Sequence, residues 1–183
     1  MRKINSSPSL EFAILGLLQE EPAHGYALFD RLKDPAGIGQ IWHVKRANLY
    51  AILEKMEHRG WLESRLVDET NHPPRNEYHL TPDGVRQLDE WLAAPTRHPR
   101  DIRQEFLVKV YLAGRTSPKA VHSLLDTQRR ECLAWQAQIE AQRGAANEDL
   151  PYRSVVLEYR LQQIHSIAAW IDRIPSILFS TKG

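Results

Sequence analysis

Cysteine is almost absent from this chain: Cys132 stands alone among 183 residues. No intrachain disulfide can form, which fits a reducing compartment. Long apolar runs are missing as well. No stretch approaches the ~18 residues that a membrane-crossing helix needs, and the opening MRKINSSPSLEF has no apolar signal core. Both absences predict a cytoplasmic protein with no membrane partner. Metal-ligand spacings are lacking: His24, His43, His58, His72, His79, His98, His122 and His165 never fall three or four apart, and there is no HExxH or CxxC. No metal and no cofactor is expected. A phosphate loop, a dinucleotide fingerprint and a GxSxG elbow are also missing, so nothing supports an enzyme. Finally, there is no excess of positive charge. The chain carries 24 Lys/Arg against 23 Asp/Glu, and residues 1–100 hold 13 against 14. A strongly basic domain would argue by itself for phosphate binding. Here that argument must come from where the charges sit.

What is present is a particular order of elements. Ser7-Pro8 offers a cap and a first-turn proline, and Leu10, Ile14, Leu17 and Leu18 have helical spacing, so a helix is predicted over 8–20. His24-Gly25-Tyr26 opens a second, with Leu28, Phe29 and Leu32 inward, and Asp34-Pro35-Ala36-Gly37 closes it. The third, over 44–59, buries Leu49, Ile52, Leu53 and Met56, and Gly60 suits its C-terminal stop. Residues 61–67 and 76–80 read as a hairpin around the polar tip DETNHPP. Thr81-Pro82 then caps a fourth helix to about Ala94. This is how a winged helix-turn-helix is written in sequence.

With its apolar stripe turned inward, the third helix presents Ala47, Ala51, Glu54 and His58 outward, flanked by Asn48 and Lys55 on one side and Tyr50 on the other. Lys45, Arg46 and Asn48 occupy the first turn, where helix-turn-helix proteins reach bases and phosphates. Lysine and arginine neutralise phosphate, and asparagine pairs with an adenine edge. Alone, such a helix reads as an ordinary solvated surface; its setting behind two helices and before a hairpin favours DNA. The hairpin tip carries two carboxylates, Asp68 and Glu69, with Arg75 as its sole firm cation.

Residues 95–99 are the one linker candidate, dividing a winged-helix domain at 1–95 from a helical domain at 100–183. In the latter, Asp101 with Gln104 resembles a capping box before Ile102, Phe106, Val110 and Ala113. Ser117-Pro118 caps a long helix, and residues 144–151 break it. The last helix carries Leu157, Leu161, Ile164, Ala168, Ile171 and Ile174, a heptad seam that predicts a homodimer with two such helices packed across a two-fold axis.

Several of these segments together resemble the PadR-type transcriptional regulators: AILGLL at 13–18, HGY at 24–26, Leu49-Tyr50 with LEKMEHRG, YHLTPDG at 78–84, LDEWL at 88–92 and QEFLVKVYL at 104–112. GQIWHVKRANLY and the block at 106–112 are most similar to the long-tailed subgroup, typified by the phenolic-acid decarboxylase repressor. The resemblance implies a mainly α fold with a small β-hairpin wing and a C-terminal α-helical dimerisation domain. It also implies a homodimer on an inverted-repeat operator in double-stranded DNA, with repression relieved by a small, often aromatic effector. Lys45, Arg46, Asn48 and Tyr50 fall on the family's DNA-contacting helix and Arg75 on its wing, while Ala47 and Ala51 stand where glycine and proline are common. For an effector the candidates are Trp42, Tyr111 and Trp135, although packing accounts for each tryptophan alone. The alternative reading is a winged-helix module that binds protein and not DNA.

Overall fold

A run of apolar residues on nearly every side of one helix puts that helix at a centre. In α1 (Pro8–Glu20), Leu10, Ala13, Ile14, Leu15, Leu17 and Leu18 are all buried. The computed structural model describes residues 8–67, 74–144 and 151–180. Around α1 lie β1 (Ala23–His24), α2 (Gly25–Lys33), α3 (Arg46–His58), β2 (Leu62–Val67), β3 (Arg75–Leu80) and α4 (Pro82–Ala93). The strands form an antiparallel sheet in the order β1-β3-β2, with Leu62 opposite Leu80, Val67 opposite Arg75 and Ala23 opposite Tyr78.

The sequence places His24 at the opening of the second helix; in the structure it ends a two-residue strand and stands just outside α2. Val44 and Lys45, expected inside the third helix, precede it. Val44 is buried, and Lys45 is the extended residue at the N-cap of α3. The hairpin tip at 68–73 lies outside the described residues.

Two local devices join α3 to the hairpin and α4. Gly60, at φ 71°, ends α3: its N–H reaches the Glu57 carbonyl (2.9 Å) and the Trp61 N–H reaches Met56 (3.0 Å). This is the left-handed stop that glycine makes cheaply. Thr81 then caps α4, its Oγ1 accepting the Gly84 N–H (3.0 Å) while donating to the Gly60 carbonyl (2.6 Å).

Sequence order alone sets a boundary at 95–99. The first compact unit in the structure stops at Ala93 but also takes in Leu107–Leu112; the second comprises Ala94–Phe106 and the chain from Ala113. The reason is steric. A Cβ on Gly16 would lie 2.4 Å from the Leu112 side chain, so the glycine of AILGLL makes room for that leucine. Lys109, fully buried, holds its Nζ 4.7 Å from the Trp91 ring, which stacks on Phe12 at 4.5 Å.

The second unit contains a turn at Pro99–Asp101, a π turn at Ile102–Phe106, the end of α5 (Leu107–Thr116), α6 (Pro118–Gly144) and α7 (Pro151–Phe179). The expected capping box at Asp101 and Gln104 is replaced by these turns, which put Asp101 inside a 3-10 turn instead of ahead of a helix. A π turn holds one residue more than an α turn, so the apolar stripe slips. Val110, expected inside, is only half-buried, whereas Val108 and Leu112 are buried. Ser117 caps α6 as expected, accepting the Ala120 N–H at 3.1 Å.

The heptad seam of α7 has a different partner from the one predicted. Leu157, Leu161, Ile164, Ile171 and Ile174 are buried within a single chain, where α6 covers them. An apolar seam specifies that a helix must be covered, not by which helix. Cys132, inside this α6–α7 pairing, is 2% exposed, and burial pushes its thiol up to about 11, which leaves it no nucleophile at neutral pH. Among the described residues, no helix is long and apolar enough to cross a membrane.

Candidate nucleic-acid interface

The outward face of α3 is defined by what its inner face buries. Leu49, Leu53 and Met56 are fully buried and Ile52 nearly so, which turns Arg46, Ala47, Asn48, Tyr50, Glu54 and His58 to the surface. Lys45, just ahead of the helix, is exposed as well. No side chain caps α3; the Asn48 N–H bonds the Lys45 carbonyl at 2.9 Å. Three cationic or amide side chains thus cluster at an uncapped helix N-terminus, whose partial positive charge favours phosphate.

The neighbouring helix positions this cluster. The Arg46 guanidinium lies 5.6 Å from the Tyr26 ring and 5.2 Å from the Phe29 ring, both on α2. Such stacking restrains the arginine and leaves its edge free to donate. Tyr50 rests on Gly25, where a Cβ would come within 2.7 Å of the tyrosine Cε1. The HGY and LY segments therefore meet as a contact between α2 and α3. Tyr50 also lies close enough to Tyr78 to help hold the Tyr78 hydroxyl in its neutral form, behind the larger effect of burial and that of Glu57.

Lys55 is placed differently from the other candidates. Its Nζ lies 2.5 Å from Glu11 Oε1, and Arg59 reaches the other oxygen at 2.8 Å. Glu11 is 3% exposed on the central helix, so one buried carboxylate ties α1 to the C-terminal half of α3. Reading the sequence for DNA contacts missed Glu11; the signal was a single charge amid the apolar positions of 10–18. Arg75 opens β3 opposite Val67 and is exposed.

The three aromatic candidates fall in two places. Trp42 lines a recess of about 580 Å³ with Lys33, Gln40 and His43, and its indole N–H is buried with no hydrogen-bond partner among the described residues. Tyr111 belongs to the same unit, its hydroxyl lying over Gly37. Trp135 is in the second unit, where its Nε1 donates to the Arg97 carbonyl at 3.1 Å. Trp42 and Trp135 therefore line separate recesses. Among the described residues, no group of His, Cys, Asp and Glu is arranged to hold a metal.

Three short helices over a hairpin, with the third helix exposing its polar face, make a winged helix-turn-helix. Residues 14–90 match the transcriptional regulator PadR-like family, and residues 102–178 match the C-terminal region described for virulence activator alpha. The chain belongs to the PadR-like family of transcriptional regulators. The negative transcriptional regulator PadR of Bacillus subtilis is 24% identical over 178 residues, which span 92% of this chain and 97% of that protein. Its structure in complex with operator DNA covers 92% of this chain and 98% of its own, at 23% identity and a TM-score of 0.46. Its complex with p-coumaric acid covers 93% and 98%, at 24% identity and a TM-score of 0.42. A PadR-like transcription factor from Bacteroides fragilis is 32% identical over 44% of this chain and 74% of its own, with a TM-score of 0.39. These relatives are named as regulators of transcription, the class that the sequence predicts for this chain.

Proposed function

We propose that this protein is a homodimeric, sequence-specific DNA-binding repressor whose grip on an inverted-repeat operator is loosened by a small aromatic effector. The observation that carries this reading is the exposed, uncapped first turn of α3 with Lys45, Arg46 and Asn48 clustered on it. Lys45 and Arg46 would neutralise phosphates, Asn48 would read a base edge and Tyr50 would pack along the groove. Lys55, shared with Glu11, and Arg75 on the wing would contribute weaker backbone contacts. Bacillus subtilis PadR, related over nearly the whole chain, is seen both with operator DNA and with p-coumaric acid, which supports the same assignment here.

Lys45→Ala and Arg46→Ala are expected to weaken binding to most duplexes and to shallow its salt dependence. Asn48→Ala should instead relax base preference, by about 1–3 kcal/mol for a bidentate contact. Fluorescence anisotropy on matched and mismatched duplexes measures both, and unchanged affinity in all three variants would move the interface elsewhere.

The dimer is supported by a face of α7 that stays apolar in the single chain. Tyr152, Val155 and Tyr159, 64–79% exposed, lie at i, i+3, i+7 spacing on the side away from the buried seam. Sedimentation at micromolar concentration should find twice the 21.1 kDa chain mass; a well-folded monomer there would remove the two-fold reader from the account. For the effector, the proposed aromatic contacts are alternatives, Trp42 and Tyr111 in the first unit or Trp135 in the second, because Trp42 and Trp135 line separate recesses. A compound preferring the DNA-incompetent arrangement 100-fold would supply roughly 2.7 kcal/mol of coupling.

The second reading, a winged-helix module for protein partners, draws on the near-neutral charge of residues 1–100. Affinity for DNA at low salt separates the two.

A further inference from the structure

The two ends of α3 treat their cations differently. At the first turn Lys45 and Arg46 are exposed, and among the described residues neither is ion-paired. Toward the other end, Lys55 and Arg59 close on one carboxylate. Lys55 Nζ lies 2.5 Å from Glu11 Oε1, and Arg59 Nη1 lies 2.8 Å from Oε2. The Arg59 guanidinium also lies 5.0 Å from the Trp61 ring. Glu11 is buried on α1, but both cationic side chains are 43% exposed, so a change of rotamer would carry either to another anion.

Packing does not call for a carboxylate at this position. An unpaired buried charge is strongly destabilising, so Glu11 must hold cations, yet an apolar residue of similar volume often packs as well or better. Its neighbours on α1, Leu10, Ala13 and Ile14, are buried and apolar. What Glu11 does that a leucine would not is bind two positive charges of α3.

Helical spacing says where those charges would otherwise go. Lys55 and Arg59 follow Asn48 by seven and eleven residues, about two and three turns, so the three share one flank of α3. At 1.5 Å per residue they stand about 10 and 16 Å along the helix from Asn48. A helix that enters a groove by its first turn carries its later turns along the rim, where backbone phosphates run. Contacts there carry no sequence information and supply essentially all non-specific affinity. Residues 1–100 hold only 13 Lys/Arg against 14 Asp/Glu, so which cations are free decides how strong that affinity is.

We propose that Glu11 stands in for a phosphate: it holds Arg59 off the DNA backbone, keeps Lys55 to a weak contact, and so limits sequence-independent affinity. Selection is thereby left to the first turn of α3. This inference rests on the DNA-binding reading and names a residue that sets its specificity.

The test compares full-length wild type with Glu11→Gln, an isosteric loss of charge, on a random-sequence duplex titrated with salt and read by anisotropy. Circular dichroism checks the fold. At about 50 mM salt the variant should bind about ten-fold more tightly or better. Its fall of log K with log salt should be steeper by about 0.9 for each released cation, roughly 2–4 in a dimer. Adding Arg59→Gln should cancel about half of that steepening. Arg59→Gln alone leaves Glu11 paired with Lys55, and it decides the matter even where Glu11→Gln does not fold. Its slope should differ from wild type by less than about 1, whereas an arginine gripping phosphate in each protomer would flatten it by about 1.8 on removal. The proposal is overturned if folded Glu11→Gln binds the random duplex no more tightly than wild type, as a plain anchor between α1 and α3 would give. It is overturned equally if Arg59→Gln flattens the slope by about 1 or more. Either result leaves the DNA-binding reading standing. Wild type with no affinity for random or selected duplex at about 50 mM salt removes both.

Discussion

Replacing Gln128 by leucine is expected to destabilise the helical unit by about 2–5 kcal/mol, a large effect for a substitution of similar size. Gln128 is fully buried in α6, and its amide grips the backbone of Thr96 on both sides. The Thr96 N–H donates to Oε1 at 2.8 Å, and Nε2 donates to the Thr96 carbonyl at 3.1 Å. Thr96 is itself 0% exposed, so neither backbone group can turn to water. Removing the amide orphans a donor and an acceptor together, each worth about 1–3 kcal/mol when left unmade in a buried setting. Gln128→Glu keeps an acceptor for the N–H but loses the donor and buries a charge, so it should rescue little. Urea unfolding followed by circular dichroism should show a lower midpoint at unchanged slope. A loss below about 0.5 kcal/mol would mean that Thr96 finds other partners.

Gly84→Ala should reverse the usual sign of its substitution. In a helix interior, alanine ordinarily improves on glycine by about 1 kcal/mol, because glycine loses more backbone freedom on folding. At Gly84 a Cβ would stand 2.1 Å from the Trp61 carbonyl oxygen, an overlap with backbone that no rotamer change relieves. That carbonyl also accepts the Thr81 N–H at 3.2 Å, and Thr81 caps α4. Moving either side to admit a methyl therefore breaks the corner between α3, β2 and α4, at a cost of about 2–4 kcal/mol. Gly114→Ala is the control: its Cβ would meet nothing closer than the Leu178 side chain at 4.0 Å. It should stabilise by about 0.5–1 kcal/mol. Thermal melts of the two variants should move in opposite directions, and a shared direction would count against the close approach at Gly84.

The contrast between these positions shows which features a sequence carries on its surface. Periodicity finds a helix with one buried side, and the set Leu49, Ile52, Leu53 and Met56 is inward in the structure as the spacing predicts. Short-range chemistry is equally readable: Gly60, Thr81 and Ser117 end or cap helices as their residue types require. Pairings across space are not readable. The strand Ala23–His24 has only two residues and no period to detect. The π turn at Ile102–Phe106 shifts the buried stripe without altering composition. Gln128 shares the inward spacing of Leu125, Cys132 and Trp135, but nothing local says that its amide meets the backbone of Thr96, 32 residues away. Lys55 looks like a free cation because Glu11, its partner, is 44 residues away. The seam of α7 was identifiable as a covered surface, while its cover, α6, is a matter of tertiary packing.

DNA reading by this chain rests on three side chains at one helix terminus and not on global charge. The direct test is a salt titration of the full-length protein on a duplex selected from a random-sequence pool, read by anisotropy. A two-fold dimer placing Lys45 and Arg46 of each α3 on phosphates makes about four neutralised contacts, so log K should fall with log salt at a slope of about −3 or steeper. The selected duplex should contain an inverted repeat with half-sites about 10 bp apart, or a multiple of that spacing. A flat salt dependence, or no DNA affinity at about 50 mM salt, would contradict the account and leave the winged domain as a surface for protein partners.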